Sequence, residues 1–354
     1  MTMAVSTSRC ETSRSWGPWV LAASLALVAG SASAAIYVVR PDGTGDFPSI
    51  QRAVDAAVDG DVIELTDGTF ERIRNRDIDF LGKAITIRSQ SGDPTRCIID
   101  CGGSVSAPHR GFLFAHGEGN DSVLEGVTVQ NGYGPDEDGF SMGGAVLCKG
   151  ASPTIRSCRF VRNGAIMGGA IASTYNPSST LQVEDCVIAY NTAALNGGGG
   201  AILAIDGAPT VRGCTIVGNS CELGAAILFT GGLPAPVMTI ENCIIAFNSG
   251  SRGVECLPFA DVLISCSDIF GNEGGDWVGC ASGQSDLRGN LALDPLFCGL
   301  DGEFRLHEIS PCAPAANPEC GLIGAQPVAC GDPVAVERSS WGRIKSTFNP
   351  RTSR

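Results

Sequence analysis

Lysine is almost missing from this 354-residue chain: Lys83, Lys149 and Lys345 are the whole supply. Aromatic residues reach only 6% while glycines number 47. That balance speaks against a helical core and for short strands joined by tight corners. Positive charge is scarce too. The chain carries −13; removing +1 for a leader up to residue 35 and +4 for the tail from Pro333 leaves the body near −18. A body of that sign repels phosphate backbones, which excludes nucleic acid as a partner, and it repels acidic polysaccharides unless a cation intervenes. Beyond the leader no apolar run is long enough to cross a bilayer, so no transmembrane segment is expected after leader removal. No CxxC pair and no histidine near the cysteines supports zinc.

Residues 1–35 have the three parts of a secretory signal peptide. Arg9 and Arg14 make a basic start, Trp19 to Ala29 an apolar run, and Ala32-Ser33-Ala34 a small-residue cleavage site. The expected location is therefore secreted or cell-surface. Sixteen cysteines, all but Cys10 beyond the leader, fit an oxidising destination.

The cysteines fall into two populations. Cys158, Cys186, Cys214 and Cys243, with Cys266 as a looser member, recur at one place in a repeated phrase and read as small buried apolar residues. Cys280, Cys298, Cys312, Cys320 and Cys330 sit in irregular sequence near the end and are the disulfide candidates.

The phrase runs Thr-Ile-Arg-Ser-Cys-Arg-Phe-Val-Arg-Asn at 154–163 and returns at 182–191, 210–219, 239–248 and, loosely, 263–272. A second signature, Gly-Gly-Ala-Val at 143–146 and Gly-Gly-Ala-Ile at 168–171 and 199–202, follows each asparagine. A period near 28 residues means a solenoid whose coils bury their apolar faces against one another. Asn131, Asn163, Asn191, Asn219, Asn248 and Asn272 then form a structural ladder, because Asn tolerates a left-handed bend and stacked amides bond from coil to coil.

The fold class that follows is all-β: a single-stranded right-handed parallel β-helix with an N-terminal capping α-helix. Residues 36–60 form the N-terminal cap, where a helix near Pro48 to Val58 places Ile50, Ala53, Val54, Ala57 and Val58 on one face. The β-helix domain spans 36–331, its C-terminal cap lies at 290–331, and 332–354 is a flexible basic tail that includes Trp341 to Phe348. Two strong strands per coil give nine or ten coils between Gly60 and Ser310, a rod of about 45 Å at the usual strand spacing.

The phrase endings Phe-Val-Arg-Asn and Ile-Ala-Tyr-Asn, set beside Gly-Gly-Ala-Ile, resemble the repeats of chlamydial polymorphic outer-membrane proteins. The opening Pro-Asp-Gly-Thr-Gly-Asp-Phe-Pro-Ser-Ile-Gln-Arg-Ala-Val-Asp-Ala-Ala (41–57) is similar to the start of pectinesterases and pectate-lyase-like proteins. Together they resemble the right-handed parallel β-helix (pectate-lyase-like) superfamily over residues 36–326. That resemblance implies a fold far more than a reaction, since the fold hosts lyases, esterases, hydrolases and adhesins. The adhesin likeness lacks a terminal membrane barrel, for which no room is expected after residue 331.

Candidates for catalysis are few. Pectate-lyase-like chemistry implies a Lys or Arg base beside calcium held by carboxylates. Lys149 with Asp136 and Asp138 are the candidate catalytic residues, Asp136, Glu137 and Asp138 the candidate metal ligands, and calcium the cofactor that reading requires. They sit in or just after the loop 133–142, which interrupts the repeat; Lys83 reads as a strand lead-in. The segment Ser-Asp-Ile-Phe-Gly-Asn (267–272) resembles a pectinesterase motif and offers Asp268, but it is one residue short and no arginine-bearing partner segment follows. A glycoside hydrolase needs two facing carboxylates; Asp77, Asp79, Asp93 and Asp100 are present without a pattern that pairs them. The favoured reading is a non-catalytic protein of adhesion, glycan binding or envelope structure, with a polysaccharide or cell-surface glycan as partner. The rival is a polysaccharide-active enzyme, above all a calcium-dependent lyase.

Overall fold

The structure is a computed structural model. It describes residues 34–331 apart from 72, 138, 176, 195–197, 222–225, 233–234, 251 and 300–301, so the expected signal peptide up to 33 and the tail lie outside the described residues. Three parallel sheets run the length of the stack. Sheet A holds nine strands from Ile36–Val39 to Asp261–Ser265, sheet B eight from Gly68–Phe70 to Asp268–Phe270, and sheet C seven from Ile78–Asp79 to Val254–Cys256. A short helix, α1 (Ile50–Ala56), covers the first coil.

Eight strands in sheet B mean about eight coils, fewer than the nine or ten expected. The reason is that each coil uses three strands. The repeated phrase is itself two strands: Thr154–Arg156 belongs to sheet A and Arg159–Val161 to sheet B. A sharp corner at Ser157 separates them, where φ is +53°. The Gly-Gly-Ala-Ile signature leads into the third strand, as at Ile171–Thr174. Alternate residues point inward, so Ile155, Val183, Val211 and Ile240 stack from sheet A and Phe160, Ile188, Ile216 and Ile245 from sheet B, all buried. Burying each such side chain stabilises by about 1.5–3 kcal/mol.

Polar ladders turn the corners. From Asn163 to Asn248, each side-chain Oδ1 accepts the backbone N–H of the asparagine one coil earlier at 2.9 Å where such an asparagine exists, and its Nδ2 at 3.0 Å. Asn272 continues the row and hands it to Asp276, whose Oδ1 takes the Asn272 N–H and Nδ2 at 2.8 and 2.9 Å. The left-handed residue is the one before each asparagine: Arg162, Tyr190, Gly218, Phe247 and Gly271. Asn131 occupies that preceding slot, and Gly132 aligns with Asn163. The expectation that the asparagines take the bend therefore holds at Asn131 and is corrected by one residue at the other five, while Asn131 itself stands outside the amide row.

The cysteine row behaves similarly. Cys158, Cys186, Cys214 and Cys243 are free and buried, and Cys158 N–H meets the Cys186 sulfur at 3.4 Å. Burial drives the thiols of Cys186, Cys214 and Cys243 well above the ordinary range. Cys266 does not belong to this row. Ser267 fills the slot, its Oγ accepting from Cys243 N–H, while Cys266 takes the left-handed corner and faces outward. The spacing carries the distinction: Cys266 precedes its asparagine by six residues, the others by five.

Both ends are sealed. Helix α1 buries Ile50, Ala53 and Val54, whereas Val58 is 62% exposed and lies past the helix. Lys83 donates to the Val54 and Asp55 carbonyls at the helix C-terminus. At the far end, the Gln284 side chain bonds Ile264 N–H and Val262 O, and Asn290 bonds Ser267 N–H, covering strand edges that would otherwise recruit another chain. Disulfides join Cys256 to Cys280, Cys266 to Cys320 and Cys298 to Cys330. Cys312, expected among the bridged residues, is free and buried, because it packs inward under the cap.

Candidate functional site

The loop singled out by sequence is ordered from within. Asp136–Glu137 pairs antiparallel with Phe140–Ser141. The buried Arg110 donates to the carbonyls of Pro135 and Met142, and Asp136 Oδ1 accepts Gly139 N–H at 2.8 Å. Asp138 and the side chain of Glu137 lie outside the described residues. Lys149 directs its ammonium over the Tyr175 ring, 5.7 Å from the centroid. Among the described residues no group of three His, Cys, Asp or Glu side chains stands where it could hold a metal ion.

Asp268, the residue of the pectinesterase-like segment, is fully buried beneath the C-terminal cap. It accepts the Cys312 thiol at 3.4 Å and Leu293 N–H at 3.1 Å. Burial, with lesser help from Asp276 and Asp294, pushes its carboxyl up to about 7. No polymer reaches it there.

Two pairings leave no local mark in the sequence. Asp77 and Asp79 flank the buried Ile78, so both project from the outer side of sheet C at its first strand. Asp77 Oδ2 holds His109 Nδ1 at 2.7 Å and its Oδ1 takes Arg110 N–H at 2.9 Å. Asp79 Oδ2 meets His116 Nε2 at 3.1 Å. The histidines stand on either side of Phe112–Phe114, the neighbouring strand. Contacts between residues 32 and 37 positions apart are set by stacking register, which no local pattern announces.

The three outer faces differ. Along sheet C, Leu147, Ala172, Leu203 and Leu228 make an apolar stripe closed over with Met142. On sheet B, Val187, Val217 and Ile244 lie under Phe297, Phe304 and Leu306 of the cap. Sheet A stays open. One of its outward positions reads Glu64, Arg88, Glu125, Arg156, Glu184, Arg212 and Glu241 on seven consecutive strands, strictly alternating in sign. The position two residues earlier is mostly polar, with Thr86, Thr154, Gln182, Thr210 and Thr239. An open groove of about 590 Å³ crosses the middle of this face, lined by Thr154, Gln182, Arg156, Glu184, Asn120 and Asp121 among others.

Seven rungs cannot all pair. Arg88 bonds Glu64 at 2.6 Å, Arg156 bonds Glu125 at 2.9 Å, and Arg212 bonds Glu241 at 3.0 Å. Glu184 is left over among the described residues, and it lines the groove together with Arg156. The carboxyl of Asp185 beside it is raised, first by burial and then by the Glu184 charge.

Residues 59–234 match the family model described as the right handed beta helix region. No curated protein matches. Among solved structures, the chain is similar to pectate lyase Pel9A at 18% identity and TM-score 0.48, covering 68% of this chain and 64% of that one. It therefore spans less than two thirds of that lyase. Pectin methylesterase from carrot gives 14% identity and TM-score 0.39, with 75% and 90% covered. The rice weevil pectin methyl esterase gives 13% and 0.36, with 72% and 80% covered. None of these overlays carries a residue of this chain into a role.

Proposed function

We propose that this chain, a right-handed parallel β-helix of the pectate-lyase-like superfamily, is an exported polysaccharide-binding protein that holds an extended glycan along the outer face of sheet A. The observation that carries the reading is the seven-rung ladder of alternating carboxylates and guanidiniums beside a polar row, open over a groove. Parallel strands repeat every 4.8 Å or so, a period suited to successive sugar units of an extended chain. Carboxylate and guanidinium groups give charge-assisted, bidentate hydrogen bonds to vicinal hydroxyls, and Thr and Gln side chains add neutral donors and acceptors. Few aromatics line the face, so each contact is weak and affinity accumulates along the ladder. Three disulfides fit an oxidising compartment.

The test is retention on a panel of insoluble and soluble polysaccharides. Arg156→Ala with Gln182→Ala should cut retention about thirtyfold or more, the loss expected for two hydrogen-bonding side chains at about 1–1.5 kcal/mol each. Asp77→Asn should leave it unchanged. Failure of every polysaccharide to bind at low and physiological salt would sink the reading.

The Asp77–His109 and Asp79–His116 pairs favour a second reading, a polysaccharide hydrolase working at the first strands of sheet C. Two carboxylates on one face supply the acid and base that glycoside cleavage needs, and each histidine orients its partner. Release of reducing ends from the same panel, abolished in Asp77→Asn, would support this reading. Release of unsaturated ends that requires calcium would instead point to lyase chemistry at the 133–142 loop.

A further inference from the structure

The break in the sheet A ladder coincides with the groove, and that coincidence carries chemistry. Glu184 lies between Arg156 and Arg212 in register. Both arginines are engaged on their far sides, with Glu125 at 2.9 Å and with Glu241 at 3.0 Å. Among the described residues Glu184 has no ion-pair partner, and Gln182, Asp121 and the Glu125-bound Arg156 share its groove. Four carboxylates against three guanidiniums leave the ladder with one net negative charge, and Asp121 adds to it. The body as a whole is acidic. A polyuronate laid here would meet a face of net negative charge, whereas an ammonium on the glycan would complete the missing pair.

We infer that the groove selects an amine-bearing polysaccharide, with hexosamine units carrying free amino groups, and that Glu184 receives the ammonium of one unit. The inference rests on the reading of sheet A as a glycan face and names the ligand class for it. Charge complementarity sets the occupant: the groove exposes two rungs, Arg156, already held by Glu125, and Glu184, the carboxylate left unpaired among the described residues. Gln182, two residues earlier on the same strand, is placed to bond a neighbouring hydroxyl.

The experiment compares glucosamine oligomers, their fully N-acetylated counterparts and polygalacturonate by calorimetry at two ionic strengths. The glucosamine oligomer should bind best and weaken with salt. Glu184→Gln should reduce its affinity about two- to fivefold, the range of an exposed ion pair, and remove part of the salt dependence. The acetylated oligomer should be indifferent to that change. Glu64→Gln, at a paired rung outside the groove, should leave both unchanged. Equal binding of acetylated and free-amine oligomers, or preference for polygalacturonate, overturns the amine inference and leaves the glycan face standing. Absence of binding by all three overturns the amine inference, and the wider polysaccharide panel then decides the glycan face.

Discussion

Sheets A and B are written by the same ten-residue phrase, yet their outer faces meet opposite fates. The first strand of each of the first four copies carries Arg or Glu outward, so sheet A needs no cover. The second strand begins polar, with Thr128 and Arg159, and then reads Val187, Thr215 and Ile244, all buried. There residues 291–325 fold back over it: Thr215 Oγ1 accepts Ala325 N–H, and Asn242 donates to Cys320 and Leu322 carbonyls. The difference teaches that the repeat supplies a scaffold, while the identity of its outward residues decides which face is sealed and which stays available. A large exposed apolar patch would otherwise aggregate.

The sharpest way to break the comparison is to unseal sheet B. Cys266 and Cys320 are 54 residues apart, and their bond ties the cap to the last corner. Removing it with Cys266→Ala and Cys320→Ala should cost about 4 kcal/mol by loop-closure entropy. The variant should bind a hydrophobic dye and show an earlier first transition on heating, with the coils before Val187 melting later. Coincident loss of all signals would show instead that cap and coil are one cooperative unit.

Asp268 tests the same seal through pH. Its folded carboxyl stays protonated up to about 7, against 3.8 when exposed. The unfolded chain therefore gives up its proton first, and the stability present below pH 3.8 is lost progressively as pH rises towards 7. A rise of that size is worth about 4 kcal/mol at most. Asp268→Asn should keep the Leu293 bond, flatten the profile over that window, and be the more stable protein at about pH 8, above both values. A variant no more stable than the parent there would refute the buried acid.

Interior ladders offer the next step down. Asn219 accepts from Asn191 N–H and Nδ2 and donates to Ile188 O and Asn248 Oδ1. Asn219→Ala leaves these buried groups unpartnered and should cost about 2 kcal/mol in urea unfolding. Asn131→Ala should cost less, since its amide reaches only the part-buried Asp100.

That contrast also measures how far the sequence is legible. Recurrence announces the solenoid, the two ladders and the ends, because stacking demands like residues at like places. It does not announce φ: the asparagine looks like the bend residue while its predecessor takes the bend, and Asn131 looks like a member of a row it does not join. Cys266 is separable by its spacing of six. The alternation Arg156, Glu184, Arg212, Glu241 stands in plain view in the phrase, at a position that looks like ordinary surface until stacking turns it into a ladder. The Asp–His pairs and the cap over sheet B depend on irregular segments brought together by register, and no local period encodes them.

The smallest effect tests the open face itself. Exposed ion pairs contribute about 0–1 kcal/mol each, so Glu125→Gln and Glu241→Gln should each lower stability by a few tenths, more at low salt than at high. Glu184 has no pair to lose, and Glu184→Gln should leave the unfolding midpoint where it was. Removing a like charge beside Asp185, whose carboxyl that charge helps to raise, even favours a slight gain at low salt. Arg156→Glu goes the other way: it would stack Glu125, residue 156 and Glu184 as three adjacent carboxylates, and like charges directly opposite one another on neighbouring strands destabilise. That loss should fade as salt rises. If Glu184→Gln instead destabilised as much as Glu125→Gln, the leftover rung would be a structural member of the ladder, and the face would have no vacancy for a ligand to fill.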